Sequence, residues 1–290
     1  MSNVLEKYFE NMQTLHVGTM PNRAYYIPFS DAKAARSGSR TASDRFTLLN
    51  GQWDFYYHDS IHTLPEDLIT CGDLTGFDKI PVPAVWQCHG YDRHQYTNVR
   101  YPIPYDPPYA PFENPCGIYR RTFSYQKKKE GNRQFLNFEG VDSCFYLYIN
   151  GSFIGFSQIS HSTSEFDITD ALINGENAIC VVVVKWCLGT YFEDQDKFRS
   201  SGIFRDVYIL ERDGNHIRDY FVKTPMNSDY TRGEITVSLE FYKETAPVFF
   251  TLYDHTGAEI AAGQTADGRL SIPVENLPGR PPTAGFLSRW

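Results

Sequence analysis

Long apolar runs are absent from this 290-residue chain. The longest, residues 179–184, falls far short of the roughly 20 residues that cross a bilayer, so no membrane partner is expected. The six cysteines are Cys71, Cys88, Cys116, Cys144, Cys180 and Cys187, and none makes a CxxC pair. Zinc and redox motifs are therefore unsupported. The opening MSNVLEKYFENM has no apolar signal core, and a cytoplasmic protein with reduced thiols is the simplest reading. Basic charge is scarce too. The formal net charge is −8 with no basic stripe against it, which argues against a nucleic-acid backbone as the main partner. Lys127, Lys128 and Lys129 make one short run, read as a hairpin tip. Asn150-Gly151-Ser152 matches a glycosylation acceptor, but without a secretory signal it reads as a turn. Long amphipathic helices are missing as well.

Aromatic residues are what the chain has in quantity: 20 Tyr and 21 Phe bring their share, with Trp, to 16%. Tyrosine suits surfaces that are half apolar and half wet, the mixed chemistry a sugar presents. A β-rich core is the plainer explanation, since aromatics also favour strands. Eight of the 17 prolines fall between Pro81 and Gly117. Proline fixes φ and removes a ladder donor, so this segment reads as a long, stiff, irregular loop, and long ordered loops are commonly functional.

A second stretch, CVVVVKWCLGTYFEDQDKFRSSGIFRDVYIL (residues 180–210), starts and ends as strand. Val181, Val182, Val183 and Val184 favour the pleated backbone. The loop between carries Glu193, Asp194 and Asp196 with Tyr191, Phe192 and Phe198 interleaved. Three carboxylates so close repel one another, and a loop bearing such a cluster usually presents it to something. The alternative is a solvated acidic loop with Arg199 and Arg205 as counter-charges. Glu193 and Asp194 have nothing to separate them into acid and nucleophile, so they do not read as a catalytic pair.

The rest of the chain falls into three parts. Residues 1–45 read as an N-terminal arm lying on another surface, with Leu5, Phe9 and Met12 sharing one face of a short helix. Residues 46–212 alternate in the strand period, and turns recur about every ten residues. In CFYLYINGSF, Phe145, Leu147 and Ile149 face one way and Tyr146 and Tyr148 the other. Asn150-Gly151 then supplies the two positive-φ residues of a tight hairpin. The expected fold is all-β: a jelly-roll, galactose-binding-like sandwich. Residues 213–290 read as a second, immunoglobulin-like sandwich that is truncated, with five strands or so against roughly seven. In it, Ile235, Val237, Leu239 and Phe241 point inward. The closing NLPGRPPTAGFLSRW shows no strand pattern.

Seven segments carry a family likeness: RAYYIPF (23–29), LLNGQWDF (48–55), VPAVWQCHGYD (82–92), YTNVRYPI (96–103), PPYAPFENPCGIYRRTF (107–123), NGSFIGFSQISHSTSEFDIT (150–169) and GTYFEDQDKFRSSGIFRDV (189–207). Together, and in this order, they resemble the N-terminal part of the bacterial β-galactosidases of glycoside hydrolase family 2. The resemblance implies a retaining hydrolase of terminal β-D-galactosides whose two catalytic glutamates come from a (β/α)₈ barrel further along. Such chemistry needs carboxyls roughly 5 Å apart. This chain would then be non-catalytic by itself. Its partners would be a galactoside, the catalytic barrel of the same enzyme and, in the full enzyme, further copies of itself. Asn98 and Asp196 match residues that position the sugar, and Asp196 also matches one that helps hold a sodium ion. Gln158 matches a residue near a peripheral magnesium site whose acidic member is replaced here by Leu188. No cofactor is expected in this stretch alone; sodium and magnesium are implied for the full enzyme. The other reading is a free-standing carbohydrate-binding or complementing module acting in trans.

Overall fold

The computed structural model describes residues 5–69, 74–193 and 196–275. Cys71, Asp194 and the 276–290 stretch lie outside them. The chain divides into two compact units, one formed by residues up to Asn22 with Ile27–Arg212, the other by Arg23–Tyr26 with the residues from Asp213 onward.

Strands of the first unit are β1 (His16–Val17), β2 (Phe46–Leu48), β3 (Gly51–His58), β4 (Asp78–Val82), β5 (Cys116–Tyr125) and β6 (Arg133–Phe138). They continue with β7 (Val141–Asp142), β8 (Cys144–Ile149), β9 (Ser152–Ser157), β10 (Ser164–Asp167), β11 (Gly175–Val184), β12 (Gly202–Ile203) and β13 (Val207–Arg212). Seven make one sheet in the order β1-β9-β8-β11-β5-β3-β4, four make a second in the order β10-β6-β13-β2, and β12 pairs with β7. The result is an all-β sandwich. Its inner core is built from alternate residues of both sheets: Phe145, Leu147, Ile149, Val181 and Val183 from one, Leu136, Phe138, Phe166, Val207 and Ile209 from the other.

The run of four valines on β11 has a direct cause. Val181 and Val183 enter the inner core. Cys180, Val182 and Val184 enter a second cluster on the outer face of the same sheet, where Leu5, Phe9, Ile61 and Ile69 cover them. A strand buried on both faces needs apolar residues at every position, not every second one. The N-terminal segment therefore docks on the sandwich. It is not the helix expected from Leu5, Phe9 and Met12: one 3₁₀ turn spans Tyr8–Glu10, and Met12 is exposed.

The β8–β9 turn is the two-residue type read from Asn150-Gly151, with φ of 50° and 79°, closing an Ile149–Ser152 pair. The lysine run is not a hairpin tip. β5 and β6 belong to different sheets, so residues 126–132 cross from one layer to the other. Glu211 holds the crossing, accepting hydrogen bonds from Tyr125 Oη (2.8 Å), Lys128 N (3.1 Å) and Asn132 Nδ2 (2.8 Å).

The second unit holds β14 (Ile217–Lys223), β15 (Gly233–Phe241), β16 (Val248–Tyr253), β17 (Glu259–Thr265) and β18 (Arg269–Val274). They form a β14-β15-β18 sheet and a β16-β17 pair. Ile235, Val237, Leu239 and Phe241 are more sheltered than Ser238 and Glu240, as the alternation implies, but Thr236, expected to face outward with them, is half-buried as well. Tyr26 joins this unit: its hydroxyl donates to Ile217 O and its ring meets Tyr220. Among the described residues, no helix is long and apolar enough to cross a membrane.

Candidate functional site

The proline-rich loop and the acidic loop meet at one edge of the first unit. Buried Trp186, Leu188 and Tyr191 from the acidic side form one cluster with Ile103, Tyr101 and Ala110 from the proline side. Tyr191 stitches them further: its hydroxyl donates to Tyr109 O (2.8 Å) and accepts from Asp106 N (3.3 Å), while Tyr101 Oη donates to Tyr191 O (3.0 Å). Lys185, at the end of β11, forms an ion pair with Asp92. Burial alone would raise the Asp92 pKa, but hydrogen bonds from Lys185, the Arg93 backbone and Gln87 outweigh it and hold the carboxyl below its usual range.

Above these anchors the two loops pair as a short antiparallel ribbon. Tyr96 bridges Phe198, and Arg199 N donates to Gln95 O at 2.8 Å. Exposure along both segments alternates with period two, as extended backbone requires. Tyr96, Asn98, Asp196 and Phe198 are exposed, whereas Gln95, Thr97, Lys197 and Arg199 are half-buried or buried. The outer face therefore presents an amide, a carboxylate and two rings. Tyr96 Oη donates a hydrogen bond to Asp196 Oδ1, and that bond, with a lesser share from burial, raises the Tyr96 pKa.

The inner face holds the ribbon in place. Lys197 Nζ lies 3.2 Å from Asp142 Oδ2. Glu193 accepts from Ser160 N (3.2 Å) and Ser160 Oγ (2.5 Å). Arg199 Nη1 donates to Glu193 O (3.0 Å) and Nη2 to Thr97 O (3.5 Å). Burial lowers the Arg199 pKa, and the Asp142 charge opposes that shift. A small cavity under the ribbon is lined by Asp142, Ser143, Trp186, Glu193, Lys197 and Arg199.

Each residue singled out in the sequence has a definite place. Asn98 and Asp196 stand on one exposed face. Asp196 pairs with Tyr96, while Arg199 and Arg205, its alternative partners, bond to the carbonyls of Glu193 and His161 respectively. Glu193 is an anchor held by Ser160. Gln158 is buried, donating to Thr14 O (2.6 Å) and accepting from Gly189 N (3.3 Å). With its amide so committed and apolar Leu188 where an acid would be needed, this place does not fit a divalent cation. No cluster of three or more His, Cys, Asp or Glu able to hold a metal occurs among the described residues. Asp196 and the adjacent Tyr96 hydroxyl do offer hard oxygens of the kind an alkali cation accepts. The parts that sequence reading missed are Tyr96 as partner of Asp196, and the inward role of Lys197; the alternation in DKFR carried a signal for the second only.

The family model for the sugar binding domain of glycosyl hydrolases family 2 matches residues 46–213. The chain belongs to glycosyl hydrolase family 2. The β-galactosidase of Actinobacillus pleuropneumoniae is 48% identical over 274 residues, covering 94% of this chain and 27% of that protein. That of Staphylococcus xylosus is 44% identical over 262 residues, covering 89% and 26%. The family 2 chain thus spans about a quarter of the length of the curated relatives it matches. Among solved structures, a β-glucuronidase from an uncultured Clostridium sp. superposes with a TM-score of 0.64 at 21% identity, covering 80% of this chain and 39% of that one. That likeness shows the sandwich fold.

Proposed function

We propose that this chain is the sugar-positioning N-terminal region of a β-galactosidase, and that the groups that break the glycosidic bond lie outside it. What supports this is the ribbon's outer face, where Asn98 and Asp196 are both exposed on loops pinned from beneath by Lys197, Arg199 and Glu193. A carboxylate accepts two sugar hydroxyls, and an amide both donates and accepts. Asp196 and the Tyr96 hydroxyl would share a sodium ion, whose charge would fix sugar oxygens. We read the second unit, five strands of which lie among the described residues, as an immunoglobulin-like sandwich.

The carboxylates beneath the ribbon are poor candidates for glycoside chemistry. Glu193 is bonded twice by Ser160, and Asp142 is paired with Lys197. Both are committed to these partners, which leaves neither free to act on a glycosidic oxygen or anomeric carbon. Incubation of the purified chain with a chromogenic β-galactoside tests the reading: no release above the uncatalysed rate is expected, and unaided hydrolysis overturns it. The closed core of the first unit also suits a module acting in trans. Hydrolysis that appears only on mixing with a separately made catalytic barrel would identify that mode.

A further inference from the structure

One nucleophile stands outside the site described above. Among the described residues Cys88 is the only exposed cysteine; Cys116, Cys144, Cys180 and Cys187 are buried. Burial pushes the Cys116 and Cys144 thiols up, and a thiol buried in apolar surroundings is inert. Cys88 has the opposite setting. It sits on the 3₁₀ turn Trp86–His89, and its Sγ lies 3.8 Å from His94 Nε2. His94 is exposed as well, and its ring is braced against Phe198, 5.4 Å away at 60°. A side-chain nucleophile, a base within hydrogen-bond reach and a third group that orients the base form the arrangement found around activated thiols.

Charge along this stretch of chain points to the co-reactant. Asp92, the single acid between Cys88 and His94 in sequence, is paired with Lys185. His89 and Arg93, the residues next to the pair in the chain, are exposed. A cationic stretch favours an anionic small molecule. We propose that Cys88 and His94 form a thiol modification site for anionic low-molecular-weight disulfides of the glutathione type. His94 takes the thiol proton as Cys88 Sγ attacks one sulfur of the disulfide. A new S–S bond forms to Cys88 and the original S–S bond breaks. The departing thiolate recovers the proton from the imidazolium, so the products are a mixed disulfide on Cys88 and one free thiol. Cys88 is oxidised and the small disulfide is reduced. The adduct stands beside His94, the residue that touches Phe198 on the ribbon.

Incubating the 290-residue chain with glutathione disulfide, and mapping the product by peptide mass spectrometry, tests the site. One glutathionyl group on Cys88 is expected. An unassisted thiol is ionised to only a few per cent near neutral pH, which limits the gain from a base to roughly thirtyfold. His94→Ala should therefore react about tenfold more slowly, and added imidazole should recover part of the rate. The cationic disulfide cystamine should react more slowly than glutathione disulfide with the wild-type chain, each rate taken relative to that with free cysteine. Both residues are exposed, so His94→Ala and Cys88→Ser should keep the wild-type circular dichroism and melting temperature. Label on another cysteine with Cys88 unmodified overturns the site. Equal rates for wild type and His94→Ala overturn the pair, and no preference over cystamine overturns the choice of an anionic co-reactant.

Discussion

At the scale of single residues, the site depends on a carboxylate held by one hydroxyl. Asp196 is exposed and its bond from Tyr96 fixes the carboxylate on the ribbon's face. Replacing it by Asn keeps the shape and removes the charge, changing a charge-assisted bond to sugar hydroxyls into a neutral one. Asp196→Asn should weaken galactose binding by about tenfold, the equivalent of ~1.4 kcal/mol, as read by titration. Tyr96→Phe removes the donor but keeps the ring, and a smaller loss of about threefold is expected. A Tyr96→Phe variant that binds as poorly as Asp196→Asn would mean that the phenol itself contacts the sugar. Asp196 was singled out through the family resemblance that EDQD carries. Its partner was not, because Tyr96 lies 100 residues away and nothing local links two irregular loops.

At the scale of elements, the proline-rich loop hangs on Asp92 and the outer face of the main sheet hangs on Phe9. Lys185 is 4% exposed, so Asp92→Asn strands a buried ammonium and should cost about 3 kcal/mol of unfolding free energy near neutral pH. The Asp92 carboxyl is held below its usual value of 3.8. Its contribution is therefore fully present above that pH and is lost as pH falls through the lower folded value. Chemical unfolding of wild type and Asp92→Asn should differ fully above pH ~4, and the gap should close only as pH falls through the lower folded value; a gap that began to close well above pH ~4 would contradict the assignment. Phe9 is 1% exposed, and Phe9→Ala should cost about 3 kcal/mol; a variant of unchanged stability would mean that the N-terminal turn does not pack on Val182. Strands were easy to read here. The valine run, the alternation of Phe145 to Ile149 and the Asn150-Gly151 turn are local patterns with one structural solution. The helix expected from Leu5, Phe9 and Met12 failed because three apolar residues at helical spacing also suit an irregular segment pressed onto a sheet. The lysine turn was misjudged because sequence does not show which sheet each flanking strand joins.

At the scale of the whole molecule, the first unit is a sandwich with two apolar clusters, and its ribbon, on the proposed reading, grips one side of a sugar. A site with two principal polar contacts, each worth about 1–3 kcal/mol, holds a ligand with roughly 4 kcal/mol, on the order of a millimolar complex. A complete glycosidase site encloses its substrate and binds it more tightly. Titrating the ¹⁵N-labelled chain with galactose measures this most directly. The account predicts saturation in the millimolar range, with amide shifts confined to residues 95–99 and 196–199. Micromolar saturation, or shifts that leave both segments untouched, would contradict it.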